Sequence, residues 1–402
     1  MNRRSVILLV VMLALSVLLN YVDRGAVGIA APLMKKELAL SATQFGLAVS
    51  AFFWIYAPIQ LILGWACDRF CVYRVFALGL ALWAMATMLT AFVGGLAMLI
   101  LLRLVLGVGE SIAFPGSSKI IAAEVPASQR GLANALIAAA IAFGPAVGSL
   151  AGGLILDHYG WREIFLIFGL ATLLWLVPWH FIAKPFRASP GDARPARTPM
   201  GTLLKLPQLW WNGFAHICSN YSFYFLLAWL PLYLVNVRGM SIGEMTATTT
   251  LLFTAQGLSA LGFGWLSDRI AARGIDEGQM RRWLMVGAHV VIGASVMAAG
   301  YAESNDVLRW SLLPAAIAIG IVSTNIYAVA QMFAGPRASG SWVGFQNAMG
   351  NLSGIVGPIV TGMLIDRTQS YFLAFMLAAA VGGIGALIWL FGIRKVEPVA
   401  LD

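Results

Sequence analysis

Residues 5–34 read SVILLVVMLALSVLLNYVDRGAVGIAAPLM, and residues 96–114 read LAMLILLRLVLGVGESIAF. About twenty apolar residues cross the hydrocarbon core of a bilayer as a helix, so each stretch has the composition of a spanning segment. Yet each carries one acid and one base: Asp23 with Arg24, and Arg103 with Glu110. A charge at bilayer depth costs about 2.5–3.5 kcal/mol on insertion scales, so four unpaired ones cost about 10 kcal/mol or more. Packing alone does not call for both signs twice. The reading that follows is that the four face one another, or a watery cavity, and do work there.

Composition extends this reading to the whole chain. Of 402 residues, 60% are hydrophobic and 11% are charged, against about 25% charged in soluble domains. Such a chain cannot supply a soluble surface. Its apolar runs are too long for barrel strands of about ten alternating residues. The fold expected is therefore all-α and integral to the membrane. The first run follows Met-Asn-Arg-Arg as a signal peptide would, but it continues through Asp23-Arg24 to Pro32 and reads as an uncleaved helix. The net charge of +9 sits in short loops, as topology signals do, with no basic and aromatic patch for nucleic acid. Cys67, Cys71 and Cys218 give no disulfide framework. Cys67 and Cys71 are one helical turn apart, but no further Cys or His lies near them, and His158, His180, His216 and His289 lack metal-like spacing. No metal and no cofactor is expected. Neither a phosphate-binding Walker loop nor a nucleophile–base set is present, so neither ATP-driven transport nor an enzyme is expected.

About twelve apolar segments follow one another, near 5–33, 44–66, 74–93, 95–122, 130–156, 161–184, 207–236, 243–266, 282–302, 307–334, 339–365 and 370–393. The polar stretch KPFRASPGDARPARTPMGTLLK at 184–205 divides them six and six. The domains expected are thus a first six-helix bundle at 1–184, a linking loop at 185–206 and a second bundle at 207–402. With the N-terminus placed inside, eighteen of the 26 Lys and Arg residues fall in inner regions and six in outer ones, Arg24 and Arg103 being intramembrane. This bias puts both termini and the loop in the cytoplasm. The halves also echo each other: Gly64-Trp-Ala-Cys-Asp68-Arg69 and Gly264-Trp-Leu-Ser-Asp268-Arg269 lie 200 residues apart, and Gly153 to Asp157 and Gly362 to Asp366 lie 209 apart. Parallel six-helix repeats mark a transporter architecture whose substrate site lies between the halves.

The pattern from Gly64 through Asp68-Arg69 to Arg74, repeated in part at Gly264, resembles the loop signature of the major facilitator superfamily. Asn20-Tyr21-Val22-Asp23-Arg24, Arg103 with Gly107, Gly109 and Glu110, Trp229 to Leu234, and Gly344 to Asn351 resemble its anion:cation symporter group. That group includes bacterial galactonate, glucarate, hexuronate and phthalate permeases, sialin and vesicular glutamate transporters. The resemblance spans nearly the whole chain. It implies uptake of an organic anion by proton symport and alternating access across a plasma membrane (a bacterial inner membrane), by a monomer whose partners are a small anion, protons and lipid.

The residue chemistry agrees. Burial favours the neutral form of a carboxyl group and an adjacent arginine favours its anion, so moving the arginine loads and unloads a proton. Arginine itself stays charged and grips carboxylates through paired hydrogen bonds. Asp23 and Glu110 are the proton candidates, and Arg24 and Arg103 the anion candidates. Arg103 and Glu110, seven apart, share a helix face, whereas Asp23 and Arg24 point about 100° apart. The resemblance implies that Arg24 holds the substrate carboxylate and that Arg103 couples to Asp23. An inert ion-pair network that only fixes packing is the alternative.

Tyr56, Tyr327 and Asn347 match substrate-contacting positions of the sugar-acid members. Gln60, Asn220, Tyr221, Tyr224, Gln256, Thr324, Asn325, Gln346 and Asn351 read as interhelical contacts. Ile141 stands where sugar-acid permeases tend to have Gln, and Ser219 where vesicular glutamate transporters have Arg. The pocket implied suits a monocarboxylate with a fairly apolar body, a sugar acid or aromatic acid. The second half carries no comparable intramembrane charge and is expected to supply neutral selectivity. Asp68, Arg69, Asp268 and Arg269, at the inner helix ends, are expected to latch an inner gate between the halves, so that Asp68→Asn slows transport without abolishing binding. Anion antiport, facilitated diffusion and a transport-dead anion sensor remain as alternatives.

Overall fold

The computed structural model describes residues 3–126, 129–184 and 199–399, without the side chains of Arg3, Ala57, Leu61, Gly64, Trp65, Asp68, Gly131, Pro336 and Arg337. Most of the expected 185–206 loop lies outside the described residues. All regular structure among the described residues is helical. Eight helices precede the loop: α1 (Arg3–Glu37), α2 (Ala42–Arg69), α3 (Val72–Thr90), α4 (Leu96–Glu110), α5 (Ala113–Glu124), α6 (Arg130–His158), α7 (Trp161–Leu174) and α8 (Leu176–Ile182). Six follow: α9 (Met200–Leu203), α10 (Pro207–Asn236), α11 (Ile242–Ala271), α12 (Glu277–Gly300), α13 (Asn305–Thr368) and α14 (Phe372–Leu387), the last ending in a π turn at Ile388–Gly392.

Eleven apolar spans among the described residues are long enough to cross a bilayer. Helices α4 and α5 join as one span and α7 and α8 as another, while α13 supplies two, Asn305–Gly335 and Ala338–Thr368. The break in α13 is at Gly335, whose φ of 58° and ψ of −177° only glycine adopts readily. The expected twelfth segment is α11, 30 residues long but too polar to join the eleven. Its threonines explain this. Thr246, Thr248 and Thr249 donate their hydroxyls to the carbonyls of Ile242, Glu244 and Met245, one turn back, at 2.8, 2.7 and 2.9 Å. Polar atoms satisfied within the helix can be buried in protein or lipid.

The described chain forms two compact units, residues 1–193 with 230–250, and residues 194–229 with 251–402. The turn from α10 into α11 thus groups with the first unit. The internal repeat reaches down to backbone geometry. Ala39 (φ 49°) and Gly239 (φ 66°) are both left-handed, and they too lie 200 residues apart. Two residues on, Ser41 and Gln44 form a capping box, the Gln44 N–H donating to Ser41 Oγ at 3.1 Å and the Ser41 N–H to Gln44 Oε1 at 2.9 Å. Ser241 and Glu244 repeat it at the same two distances. Such boxes satisfy two of the amides left open at a helix start.

In the first unit, small residues bring α4 against its neighbours. A Cβ on Gly109 would sit 2.5 Å from the backbone nitrogen of Trp83, and one on Gly107 would sit 2.6 Å from the carbonyl oxygen of Phe52. On the far side of α1, Gly144 of α6 leaves room for Tyr21. Association in lipid relies on such close packing. Here it sets the charged stretch of α4 beside α1, α2 and α3.

Candidate functional site

Helix α1 distributes three side chains around its circumference, each toward a different neighbour. Asn20 and Arg24, four residues apart, share one face. Arg24 Nε donates to Glu110 Oε2 at 3.0 Å, the two side chains being 7% and 0% exposed. Asp23, about 100° further round, turns toward α3, where Trp83 Nε1 donates to its Oδ2 at 2.5 Å and Thr87 Oγ1 at 3.4 Å. Tyr21 backs onto α6 at Gly144.

Aromatic rings enclose the arginines. The Arg24 guanidinium carbon lies 4.5 Å from the ring centre of Tyr56 and 5.1 Å from those of Tyr21 and Phe52. Tyr56 stacks on Phe52 at 4.9 Å. Arg103, 4% exposed, lies 5.1 Å from the same Phe52 ring. Desolvated cation–π contacts of this kind contribute about 2 kcal/mol, a fraction of the cost of burying a charge. Arg103 forms no ion pair among the described residues, and its buried Nε and Nη1 have no hydrogen-bond partner. Asp23 Oδ1 and Glu110 Oε1 are likewise unpartnered.

Five sequence candidates, Asp23, Arg24, Tyr56, Arg103 and Glu110, therefore meet in the first unit. Arg103 and Asp23 share no hydrogen bond or ion pair among the described residues, although the carboxylate still acts electrostatically on the guanidinium. Asp23 spends its Oδ2 on the Trp83 indole, because adjacent residues of a helix cannot both point at α4. Glu110 pairs with Arg24 instead.

Tyr327 and Asn347 meet in the second unit, the tyrosine hydroxyl donating to Asn347 Oδ1 at 3.2 Å. His216 stands edge-on to Tyr327, ring centres 5.5 Å apart. Asn351 Nδ2 donates to the Asn347 carbonyl at 2.9 Å, and Tyr224 Oη to Asn351 Oδ1 at 3.1 Å. This neutral network lacks a charge, as the sequence implies. Two arginines, at the edge of the apolar segment expected near 282–302, are nevertheless buried at the start of α12. Arg282 donates to the carbonyls of Trp389, Leu390 and Ile393, closing the π turn. Arg281 binds Asp268 and Glu277, each at 2.8 Å, and Asn325 at 2.8 Å.

Of the four expected gate residues, Asp68 is one whose side chain lies outside the described residues. Arg69 is the exposed last residue of α2. Asp268 has its ion pair with Arg281 of its own unit, and Arg269 lies over the Trp265 ring at 4.5 Å. Arg281, thirteen residues from Asp268, carried no pairing signal in the sequence. Trp83, Phe52 and Asn20 are further site residues without an assigned role at that level. Tryptophan and phenylalanine are abundant in this chain, and only contacts between helices single these out.

Buried arginines and carboxylates inside a bundle of membrane-spanning helices are features of polytopic transporters of charged solutes. More particularly, the chain belongs to the major facilitator superfamily, whose family model matches residues 13–358. It is a transporter and not an enzyme. A probable sulfoacetate transporter of Cupriavidus necator is 32% identical over 92% of this chain and 90% of that protein. A hexuronate transporter of Bacillus subtilis is 27% identical over 97% and 94%. A probable galactarate/D-glucarate transporter of the same species is also 27% identical, over 96% and 91%. A crystal structure of a bacterial homologue of the human lysosomal transporter Spinster, described as inward-facing and unoccupied, superposes with a TM-score of 0.84 at 18% identity, covering 98% of both chains. That likeness shows the fold.

Proposed function

We propose that this protein takes up a small organic anion together with protons, by alternating access of two six-helix repeats, residues 1–184 and 207–402, joined by 185–206. The observation that carries the reading is the buried Arg24–Glu110 pair. A substrate carboxylate reaching Arg24 competes with Glu110 for one guanidinium. Once the anion takes Arg24, Glu110 has lost its counter-charge and binds a proton, and release of the anion reverses both steps. Anion and proton movement are thereby linked. Asp23 is the second proton carrier and Arg103 a second anion contact. Tyr56, Tyr327 and Asn347 contact the substrate body, while Asp68, Arg69, Asp268 and Arg269 act at the inner gate. The favoured cargo is a monocarboxylate with a fairly apolar body, since Ile141 and Ser219 are neither polyol-binding nor cationic. The loop charges support cytoplasmic termini in a bacterial inner membrane, and the chain acts as a monomer.

A second cargo is favoured by one observation. Arg24 and Arg103 both lie 5.1 Å from the Phe52 ring centre, so two cations share one ring. A short dianion bearing a carboxylate and a sulfonate, as the name of the Cupriavidus relative implies for that protein, fits two arginines better than one.

The test is uptake into proteoliposomes with and without an inside-alkaline pH gradient, using labelled glucuronate, benzoate and sulfoacetate. The expected result is uphill accumulation only with the gradient. Glu110→Gln is expected to keep counterflow exchange and lose accumulation. Net uptake unaffected by the gradient in the parent protein would favour antiport or facilitated diffusion, and binding without exchange a sensor.

A further inference from the structure

We infer that Asn20 is the positioning residue for the Glu110 proton, an amide that hydrogen-bonds whichever protonation state Glu110 adopts. The inference rests on the proton-coupled reading above and assigns a role to a residue that reading does not use.

Asn20 is 0% exposed, and neither Oδ1 nor Nδ2 makes a well-formed hydrogen bond among the described residues. Its amide lies beside Glu110, one helical turn before Arg24 on the same face of α1. Arg24 occupies Glu110 Oε2, while Oε1 is buried and unpartnered. A buried amide is costly unless it is hydrogen-bonded, and an apolar side chain would carry no such cost. Native proteins carry few such groups, and each calls for an explanation.

An uncharged amide offers a donor and an acceptor at almost interchangeable positions. With Glu110 ionised, Nδ2–H donates to Oε1. When a proton from solution binds Oε1, that oxygen becomes a hydroxyl and donates to Asn20 Oδ1, the amide having turned about its Cβ–Cγ bond. One proton enters, no other bond changes, and leaving reverses the step. A methyl group can do neither, and a second carboxylate would add a charge.

The other charged and titratable groups around Glu110 are Arg24, Asp23 and Tyr21 of α1, Tyr56 of α2 and Arg103 of α4 itself. On the α3 side, Gly109 abuts the backbone of Trp83 and Gly79, which contributes no titratable group. Arg24 moves toward an incoming anion, and Arg103, which has only donors, cannot accept from the hydroxyl of a protonated acid. Asn20, on the same face of α1 as Arg24, is therefore placed to steady Glu110 while Arg24 is engaged elsewhere.

The experiment is infrared difference spectroscopy of the purified, membrane-reconstituted protein between acid and alkaline pH, with no substrate needed. The Glu110 carboxylic C=O band is identified by its loss in Glu110→Gln. In Asn20→Leu this band is expected to move to higher frequency, because an acid without an acceptor absorbs above a hydrogen-bonded one. A merely structural residue would leave the band in place. Asn20→Ala, which cannot overpack, carries the same expectation should Asn20→Leu not fold. A band unmoved in both variants overturns the role of Asn20 and leaves the proton reading standing. If Glu110→Gln removes no band, Glu110 does not titrate, and both readings fall.

Discussion

Removing Glu110 should cost more than removing the arginine it holds. The Arg24–Glu110 contact is 3.0 Å between Nε and Oε2, with side chains 7% and 0% exposed, so solvent screens it little. With charge centres about 4 Å apart and an effective dielectric of about 20, the attraction is about 4 kcal/mol. Breaking a buried pair by truncating one partner typically costs about 3–5 kcal/mol, because the other charge stays buried alone. Glu110 is also a counter-charge near Arg103, which has no ion pair of its own. Glu110→Met therefore strips compensation from two arginines and should reach the upper end of that range, whereas Arg24→Met should stay at the lower end. The double substitution should be less damaging than Glu110→Met alone. It removes one of the stranded cations and leaves only Arg103 uncompensated. The assay is thermal unfolding of the purified protein in one detergent at one scan rate. For a chain this long, each kcal/mol corresponds to about 1–2 °C, so Glu110→Met should melt about 5–10 °C below the parent. The interaction energy from the cycle should be at least about 2 kcal/mol. Additivity within about 0.5 kcal/mol, the behaviour of independent sites, would refute the claim that these charges compensate one another.

Three further expectations follow from contacts elsewhere. Trp83→Phe removes the indole donor to Asp23 Oδ2 and leaves a gap, and should destabilise by about 2–4 kcal/mol. Combining it with Asp23→Leu in thermal melts should cost less than the sum. Gly109→Ala drives a methyl to 2.5 Å from the backbone of Trp83, which no side-chain motion relieves, and should cost about 1–3 kcal/mol or more, read as lost monodisperse yield on gel filtration. Asp268→Asn removes a pair whose acidic side chain is 77% exposed, and Arg281 keeps Glu277 and Asn325. It should change stability by less than about 1 kcal/mol, so a slowed transport rate with an unchanged melt would bear on gating alone.

Much of the architecture was legible because bilayers leave few choices. Backbone amides in hydrocarbon must be paired, so a long apolar run is a helix, and the 200-residue repeat announced two halves. Helix α11 was legible as a segment although its threonines make it polar, since hydroxyls that bond one turn back conceal themselves. The four charged candidates stood out for the same energetic reason, a charge in an apolar run being conspicuous. Their partners were not. Seven-residue spacing put Arg103 and Glu110 on one face, but it could not say that Glu110 meets Arg24 or that Asp23 turns away to Trp83, sixty residues on. Arg281 looked like a loop charge, and only its burial between Asp268, Glu277 and Asn325 gives it a structural part.

The sequence by itself determined that this is a helical membrane transporter of the major facilitator superfamily with four charges below its polar surface. Composition, span length and repeat are local or additive properties of the chain, and a bilayer reads them directly. The tertiary structure decided the pairing: Arg24 with Glu110, Asp23 with Trp83, two arginines against Phe52, and Asp268 with Arg281. Those choices depend on how each helix is rotated about its axis. Rotation is set by where glycines such as Gly107, Gly109 and Gly144 let backbones approach, which the order of residues along any one helix does not reveal.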